Sequence, residues 1–499
     1  MPAGGWRGWV GPVLVTAFAG VLRFWRLGQP HAFVFDETYY AKDGYSLLKY
    51  GYESQSVANA NDKILAGHLT NVWTGDAAFV VHPPLGKWVI AVGIKLFGMN
   101  PFGWRFMVAV LGTLAVLVLA RTARRMTRSN VLGTVAGFLL AIDGLALVLS
   151  RTAILDGILM FFLLCGFAAL VVDRDRFRHR VAVRVSAYAD HAYGPGSGFR
   201  PFLLLAGVFF GMALATKWSA LWFMAVFAVV VVIWDAGARR TAGARRPLLG
   251  ATLRDAIPTF GALVLVPIGV YLAAWWGWFR SSGGYDREWA VQHPTSGLSR
   301  FVPGALRSLW HYHDEAYRFH ITLDTPHAYQ SNPLGWLLEI RPVSFFYEGP
   351  KQGHAGCTVS SCAREVLALG TPVIWWTGVI ALFVMGWLLI SRSDWRAGAV
   401  LAGVAAGWLP WLHYMHRTIF QFYAVVTVPF LVLAVTMTLG LVLGPSTARP
   451  ERRSVGAAIM GSYLVLAFAS FWLLWPLFTA QVIPYHSWWA RLLHIRSWV

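Results

Sequence analysis

Long apolar blocks separated by short polar tracts run along most of the chain. Most of these blocks approach the length of about 20 residues with which a helix crosses a bilayer. Eleven of them are predicted to be membrane-spanning helices, namely 9–26, 105–122, 131–149, 154–172, 201–216, 219–235, 258–278, 367–390, 398–412, 419–443 and 456–478. The pattern therefore predicts an all-α polytopic membrane protein.

The apolar run 85–97 is shorter and follows two prolines, Pro83 and Pro84. At that length a re-entrant or surface helix is a better interpretation than a membrane-spanning one. The hydrophilic segment 27–84 before it carries six acidic residues and three lysines, which is typical of a loop outside the cytoplasm. If 85–97 does not cross, all five arginine-rich tracts lie on the side opposite this loop, as the positive-inside rule requires. The N-terminus is then cytoplasmic and the C-terminus lies outside.

This topology divides the chain into six segments. They are the first transmembrane helix (1–26), an outer loop with surface helices (27–104), transmembrane helices 2–7 (105–278), a large outer loop (279–366), transmembrane helices 8–11 (367–478) and an outer C-terminal tail (479–499). In the tail, Trp488, Trp489 and Trp498 are interpreted as anchors at the membrane interface.

Composition agrees with this interpretation. The chain is 57% hydrophobic and 13% charged, with a mean hydropathy of +0.53, whereas soluble globular chains carry about 25% charged residues. The formal charge of +19 would suggest a nucleic-acid partner in a soluble protein. Here the excess is almost all arginine in short tracts between apolar blocks, so it is attributed to topology and no nucleic-acid partner is expected.

The three cysteines fall in two settings. Cys165 lies inside an apolar run and is interpreted as a small core residue. Cys357 and Cys362 lie close together in a polar loop, where a metal-binding pair would have only His354 nearby. A disulfide in an oxidising compartment is favoured over free thiols, and it would place this loop outside the cytoplasm.

Two adjacent acidic residues, Asp36 and Glu37, follow the first apolar block. Neighbouring carboxylates are costly at a membrane surface, so an enzymatic role is one explanation. The pair also begins a predicted surface helix that ends before Gly51. Asp36 could therefore be only the N-cap of this helix, and Glu37 a favourable acid in its first turn.

Two further groups of ionisable residues accompany the pair. His82 and Lys87 flank the start of the helix 85–97, either as part of a rigid turn or as an imidazole and an ammonium group beside the acidic loop. Asp143, Arg151 and Asp156 lie within or between the third and fourth predicted spans. Charged groups at that depth are costly and are usually paired or functional, so the alternative to a functional role is an internal Asp–Arg–Asp ion pair joining two helices.

Three basic residues, Arg105, Lys217 and Arg417, are predicted at the non-cytoplasmic edge of the membrane, where the positive-inside rule disfavours them. Each alone could extend its side chain to lipid headgroups. A lipid-linked phosphate bound at that face would explain all three, because arginine and lysine bind phosphate well.

In order along the chain, several motifs resemble those of the protein O-mannosyltransferases. They are Asp36-Glu37, His82-Pro-Pro-Leu-Gly-Lys87, Asp143 with Ser150-Arg-Thr-Ala-Ile-Leu-Asp156, Thr216-Lys-Trp218, and His327-Ala-Tyr-Gln-Ser-Asn-Pro333 with Trp336 and Arg341-Pro342. The resemblance implies a GT-C membrane fold, a polyprenyl-phosphate mannose donor and transfer of mannose to Ser or Thr of exported proteins. Eukaryotic members carry an inserted β-trefoil (MIR) domain, for which the loop 279–366 is too short. They also carry a His-His-Tyr run where this chain has Gln421-Phe-Tyr423, and both departures fit a bacterial member.

These considerations give a hypothesis for each site residue. Asp36 is the general base of an inverting transfer and Glu37 orients a substrate. The donor phosphate is assigned to Arg105, Arg417, Lys217 and Arg151. The remaining motif residues are assigned to the substrate pocket or to structure, namely His82, Lys87, Asp143, Asp156, His327 and Arg341. No cofactor is required, although His82 with the two acids could form a divalent-metal site.

The expected location is the cell membrane, in a multi-pass chain whose active site faces outward, and the Sec translocon is a further expected partner. Two alternatives stay open. One is a GT-C transferase that uses another lipid-linked sugar or a glycolipid acceptor. The other is a transporter or flippase in which Asp143, Arg151 and Asp156 line the pathway.

Overall fold

The computed structural model describes residues 5–184, 192–196 and 198–499. Helices make up most of it, and short strands lie at one end. The α-helices are α1 (Arg7–Phe24), α2 (Glu37–Tyr50), α3 (Ala60–Leu65), α4 (Leu85–Phe97), α5 (Pro101–Thr127), α6 (Asn130–Ala141), α7 (Gly144–Leu149), α8 (Leu155–Arg184), α9 (Pro201–Leu214), α10 (Ala220–Thr241), α11 (Pro247–Phe260), α12 (Val266–Ala274), α13 (Trp276–Arg280), α14 (Trp289–Gln292), α15 (Gly304–Thr322), α16 (Pro372–Arg392), α17 (Trp395–Trp408), α18 (Val428–Leu443), α19 (Pro450–Phe478) and α20 (Tyr485–Arg491). A π-helical turn, Gly261–Leu265, joins α11 to α12, and a 3-10 turn, Gln421–Thr427, leads into α18.

Within the described residues, seven helices are long and apolar enough to cross a membrane: Pro101–Thr127, Leu155–Arg184, Ala220–Thr241, Pro247–Ala274, Pro372–Arg392, Gln421–Leu443 and Pro450–Phe478. This confirms a multi-pass membrane protein. The other four predicted spans coincide with α1, α6 plus α7, α9 and α17, so the total of eleven stays a prediction. Helix α8 is central, because 89% of its most apolar stretch is buried against 22% for Pro247–Ala274.

The predicted continuous span 131–149 is broken between α6 and α7. At the break, Asp143 Oδ1 accepts a hydrogen bond from the Ala146 amide at 2.8 Å and thereby caps α7. Its other oxygen, Oδ2, accepts the Trp375 indole N–H at 2.8 Å and the Thr371 amide at 3.3 Å. A helix can stop inside a membrane protein only where other groups satisfy its freed backbone, and this carboxylate does so.

The predicted span 258–278 begins too late, because one continuous helical segment runs from Pro247 to Ala274. The part of the helix before residue 258 contains Arg254 and Asp255, and two charged residues are typical of a polar tract. Asp255 is buried and forms an ion pair with Arg239 at 2.7 Å. A charge neutralised by a partner on another helix does not end the helix.

The first outer loop folds over α4 and the start of α5. Strand β1 (Ser54–Ser56) pairs antiparallel with β2 (Trp73–Ala77), and α3 lies between them. Helix α4 has 13 residues, about 20 Å, which is short of the ~30 Å hydrocarbon core and agrees with a non-crossing surface helix. Gly44 of α2 lets the two helices approach closely, since a Cβ there would lie 3.1 Å from the Lys87 carbonyl oxygen.

The second outer loop and the C-terminal tail form one layer. Strands β3 (Val343–Glu348), β4 (Cys362–Ala368) and β5 (Ile483–Pro484) make an antiparallel sheet, with the Cys357–Cys362 disulfide beside it. The expectation that the tail tryptophans anchor at the membrane interface is wrong for Trp488 and Trp498. Both are buried, and their indole N–H groups donate to the Glu365 carboxylate at 2.6 Å and to the Glu339 carbonyl at 2.8 Å.

The helices separate two ends of the molecule. In α5, Arg105 lies near the N-terminus and Arg125 lies twenty residues later, about 30 Å away at 1.5 Å per residue. The loops 27–104 and 279–366 gather at the first end, which is called the loop end below. The arginine tracts gather at the other, called the arginine end.

Candidate active site at the loop end

The Asp36 carboxylate has no partner in the part of the chain that the structure describes. Asp36 occupies the N-cap position of α2, but its side chain makes no capping hydrogen bond, so the N-cap interpretation does not account for its carboxylate. Across the described residues, no hydrogen bond or ion pair engages its side chain, which is half-buried. Burial raises the pKa of the Asp36 carboxyl to about 6, while nearby Lys217 acts to lower it and Asp156 to raise it.

Phe35, immediately before Asp36, fixes the turn that presents this carboxylate. Its φ is 51°, which is rare for a bulky residue. The ring stacks on Phe345 of β3 at 4.7 Å and lies edge-on to Phe420 and Phe422. Sequence reasoning missed this residue, because an apolar run gives no sign of a left-handed backbone conformation. The aromatic contacts supply the energy that holds the strained turn.

Glu37 points away from Asp36 and is fully buried. Its oxygens accept from Arg105 Nε at 2.8 Å and from Arg105 NH2 at 2.7 Å, a bidentate ion pair. The Val34 and Ala153 amides each donate to the same carboxylate at 2.9 Å. The carboxylate is therefore occupied by protein groups, and it ties the start of α2 to α5 and to the turn before α8.

Arg105 is equally occupied. Besides Glu37, its guanidinium donates to the carbonyls of Leu27, Pro30 and Ala32 at 3.2, 3.0 and 2.9 Å. Only 1% of its surface is exposed. This geometry fixes the first outer loop on the membrane bundle and leaves no donor directed at a phosphate.

Lys217 lies in the turn between α9 and α10 and faces the Asp36 side of the site. Its ammonium donates to both oxygens of Asp156, at 2.9 and 3.0 Å. It also lies 4.1 Å from the centre of the Tyr423 ring. A carboxylate and an aromatic face hold this cation in place near the entrance to α8.

Arg417 is the basic residue here that keeps free donors. Its Nε is buried and makes no hydrogen bond within the described residues, and neither terminal nitrogen has a carboxylate or carbonyl partner there. The guanidinium lies 5.8 Å from the Tyr414 ring centre. Its charge contributes to lowering the pKa of two nearby histidines, His82 and His320.

His82 and His320 form a neutral pair beside the cations, with ring centres 5.1 Å apart. Burial above all, and the positive charges of Lys217 and Arg417, lower the pKa of His82 well below its usual value. Burial lowers the pKa of His320 to about 4, although Nε2 interacts with the Val81 carbonyl at 2.9 Å. The sequence analysis did not single out His320. The signal that could have identified it is its seven-residue spacing from His313, which places both residues on one face of α15.

Lys87 supports this site from behind. It is buried, forms an ion pair with Glu53 and donates to the His82 carbonyl at 3.0 Å. Nearby Asp43 has its pKa raised to about 7 by burial, against the opposing charge of Lys87. The lysine therefore holds the turn that carries His82.

The proposed Asp143–Arg151–Asp156 ion pair is wrong, because each member has a different partner. Arg151 NH1 donates to the Leu22 and Arg23 carbonyls at 3.0 and 2.8 Å. Asp143 caps α7, and Asp156 binds Lys217. The three residues join helices to one another, which removes the feature that favoured a transporter.

Two further motif residues lie in the second outer loop. His327 is exposed, with its ring edge-on to Phe420 at 5.0 Å and to Phe35 at 6.5 Å. Arg341 donates to the Ser497 and Val499 carbonyls at 3.0 and 2.7 Å and fastens the C-terminal tail.

The hypothetical metal site of His82 with Asp36 and Glu37 does not fit the geometry, because Glu37 spends both oxygens on Arg105 and two amides. In the part of the chain that the structure describes, one group of ligand atoms is close enough for an ion: Asp286, His311 and Glu315. It lies between the loop after α13 and α15, away from Asp36.

The fold is the GT-C membrane fold. The chain superposes on the S. cerevisiae protein O-mannosyltransferase Pmt1–Pmt2 complex bound to the sugar donor with a TM-score of 0.71, at 13% identity, over 95% of this chain and 90% of that one. The predicted GT-C fold is confirmed.

The sequence comparisons identify the family. A family model described as dolichyl-phosphate-mannose-protein mannosyltransferase matches residues 13–280, and one described as the C-terminal four TMM region of protein-O-mannosyltransferase matches 305–498. The polyprenol-phosphate-mannose–protein mannosyltransferase of Mycobacterium tuberculosis is 38% identical over 97% of this chain and 90% of its own length. That of Mycolicibacterium smegmatis is 39% identical over 97% and 91%. The chain belongs to the protein O-mannosyltransferase family.

Proposed function

We propose that this protein transfers mannose from polyprenyl-phosphate mannose to Ser or Thr hydroxyls of exported polypeptides. The names of its relatives supply the donor and the acceptor class. The observation that carries the proposal is Asp36, a half-buried carboxylate with no partner among the described residues, which lies near Lys217 at the end of the molecule where Arg417 keeps free donors. A free base opposite two cations is the arrangement that displacement of a phosphate by a hydroxyl requires.

In the proposed step, the acceptor oxygen attacks C1 of mannose from the face opposite the phosphate. The C1–O bond to the phosphate breaks, and the polyprenyl phosphate leaves with the bonding electrons. The hydroxyl proton passes to Asp36, and the configuration at C1 is inverted. With a pKa of about 6, Asp36 is mainly ionised at neutral pH and is a stronger base than an exposed aspartate.

The departing phosphate needs positive charge rather than a general acid. Lys217 is held by Asp156 and Tyr423, and Arg417 has free guanidinium donors. Arg105 is left out of the phosphate site, because its donors are all directed at protein carbonyls and at Glu37. Arg151 is left out because its NH1 is directed at the Leu22 and Arg23 carbonyls. The neutral imidazoles of His82 and His320 are suited to hydrogen bonds with sugar hydroxyls.

No step of this scheme uses a divalent ion. The proton goes to Asp36 and the leaving-group charge is stabilised by Lys217 and Arg417. The role of Glu37 is to hold Arg105 and the start of α2, so that it positions Asp36 without contacting a substrate.

The proposed location is the cell membrane, with the loop end outside. The arginine tracts all lie at the opposite end of the helices, and the positive-inside rule assigns that end to the cytoplasm. A disulfide in the loop between β3 and β4 fits an oxidising exterior. Acceptors then arrive as unfolded exported chains, for which proximity to the Sec translocon is part of the proposal.

The direct test supplies purified protein with radiolabelled polyprenyl-phosphate mannose and a Thr-rich peptide. Label is expected on the peptide, in alkali-labile linkage, and the same peptide with Thr replaced by Val should stay unlabelled. Transfer of label only to a lipid other than the donor would overturn the proposed acceptor and favour a glycolipid. Absence of any mannose transfer from this donor would overturn the donor.

Replacing Arg417 with alanine is expected to weaken donor binding about ten- to hundred-fold, the effect of losing charge-assisted hydrogen bonds. Arg417→Lys should recover part of the affinity, since it keeps the charge but loses the planar fork. Binding is measured with a radiolabelled donor in detergent. The matched control is Arg318→Ala at the same end, where the side chain is 73% exposed and pairs only with Asp314. Unchanged donor affinity in Arg417→Ala removes Arg417 from the phosphate site.

A further inference from the structure

Arginine side chains from several helix ends line a groove at the arginine end. It is formed by the C-terminal parts of α5 and α8, the start of α9 and the junction between α16 and α17. Three adjoining cavities of about 330, 520 and 410 Å³ make up the groove, and Arg125 and Asp175 line all three. We call it the arginine groove.

The groove carries a large excess of positive charge. Its walls contain eight arginines and three aspartates: Arg125, Arg128, Arg174, Arg176, Arg178, Arg180, Arg392 and Arg396 with Asp173, Asp175 and Asp394. The aspartates are already engaged. Asp175 pairs with Arg125 at 2.8 Å and Arg174 at 3.4 Å, and Asp394 pairs with Arg396 at 2.6 Å. Asp173 pairs with Arg200.

Several arginine donors in the groove stay unused. Among the described residues, Arg128 and Arg178 have neither a carboxylate nor a hydrogen-bond partner, and both line the cavity of about 330 Å³. Arg174 is 9% exposed, its Nε is buried without a partner, and its guanidinium lies 3.5 Å from the centre of the Trp395 ring. A buried guanidinium with an unmet donor beside a cavity is costly unless a ligand meets it.

Topology alone does not explain this arrangement. The positive-inside rule requires arginines near the ends of helices, and solvent-exposed side chains satisfy it. Arg245 and Arg246, in the loop between α10 and α11, are exposed in that way. In the arginine groove, by contrast, side chains from separate helices converge on shared, partly open cavities, where Arg125 and Arg178 are half-buried and Arg174 is buried against the Trp395 ring. Convergent arginines provide the forked donors that phosphate oxygens accept.

We propose that the arginine groove binds a phosphate-bearing ligand at the face opposite the active site. The chemistry is that of an ionised phosphate monoester or diester, carried either by the headgroup of an anionic phospholipid or by a free phosphate compound. Basic pockets between membrane helices are suited to lipid headgroups, and the cavities are larger than a single phosphate needs. The site lies about 30 Å from Asp36, so binding there leaves the catalytic groups untouched.

The test uses the full chain in detergent, analysed by native mass spectrometry with four probes: cardiolipin, phosphatidylglycerol, phosphatidylcholine and inorganic diphosphate. The double variant Arg128→Gln/Arg178→Gln removes the two unpaired arginines. The matched control is Arg245→Gln/Arg246→Gln, which makes the same charge change at the same end of the molecule. Mannosyl transfer is measured in parallel and should be unchanged in both variants, so that failure of this site is distinguishable from failure of the enzyme.

The expected result is that the unsubstituted chain retains an anionic lipid, and that retention falls about tenfold in the groove variant but not in the control. Diphosphate that competes with the lipid, or binds when lipid does not, assigns the same site to a free phosphate compound. Equal loss of lipid in the two variants, or retention of phosphatidylcholine as strong as that of anionic lipids, would overturn the proposal. Either outcome would mean that the groove attracts lipid only through the general positive charge of this surface.

Discussion

Replacing Asp36 with asparagine is expected to slow mannosyl transfer by about 10²–10⁴-fold, the usual contribution of a general base. The substitution keeps the size and shape of the side chain but cannot accept the acceptor proton. Since no hydrogen bond or ion pair among the described residues engages the Asp36 carboxylate, the fold should be unaffected. Donor affinity should change little, because the phosphate is bound by Lys217 and Arg417. The measurement is single-turnover transfer to a Thr-containing peptide, with donor binding determined separately.

The matched control for this variant is Asp62→Asn in α3 of the same outer loop, an exposed acid. It makes the same change of charge and should keep the full rate. Near-normal turnover in Asp36→Asn would contradict the assignment of the base. A loss of donor binding equal to the loss of rate would instead assign Asp36 to the donor site.

The pH profile gives a second readout of the same assignment. The base acts only when deprotonated, and burial raises the pKa of Asp36 to about 6. The value of kcat/KM, which reports the ligand-free enzyme, should therefore be constant above that pH and fall tenfold for each unit below it. The slow residual reaction of Asp36→Asn should lack this acidic limb. An unchanged limb in the variant would mean that another group titrates.

The membrane segments could be predicted from the sequence wherever burial in lipid is the dominant requirement. The length of an apolar block then predicts the position of the helix, and α5, α8, α16 and α19 lie where the apolar blocks predicted them. Prediction failed where a polar or charged group of one helix is hydrogen-bonded or neutralised by a group of another helix. The break at Asp143 depends on groups from α16 that lie more than 200 residues away in the chain, and the early start of α11 depends on Arg239 neutralising Asp255.

The same limit applies to the site. Sequence position placed acids and cations at one membrane edge, and that grouping is what the fold assembles. It did not show which cation pairs with which carboxylate. Arg105 and Glu37 are 68 positions apart in the chain, and the sequence does not distinguish Asp36 from Asp156 as the partner of Lys217. The resemblance gave the order of motifs, but only contacts separate the free carboxylate at Asp36 from the occupied one at Glu37. The left-handed turn at Phe35 has no signature in the sequence at all.

The Glu37–Arg105 ion pair should be the most sensitive structural contact of the site. Removing one partner of a buried pair leaves an uncompensated charge and typically costs about 3–5 kcal/mol. Arg105→Met and Glu37→Gln are each expected to lower the thermal unfolding midpoint and the yield of monodisperse protein, measured by fluorescence-detected size exclusion. Arg318→Met is the control, since its pair with Asp314 is largely exposed and such pairs contribute about 0–1 kcal/mol.

The double variant Glu37→Gln/Arg105→Met separates a structural pair from two independent substrate contacts. If the residues stabilise each other, the double variant loses less stability than the two single losses combined, because neither charge is left alone. Its remaining donor affinity should then match that of the unsubstituted chain in the fraction that stays folded. If Arg105→Met were stable but bound the donor weakly, Arg105 would contact the phosphate directly. The ion pair would then be a resting arrangement that the donor breaks, and Glu37 would be released toward the substrate when the donor binds.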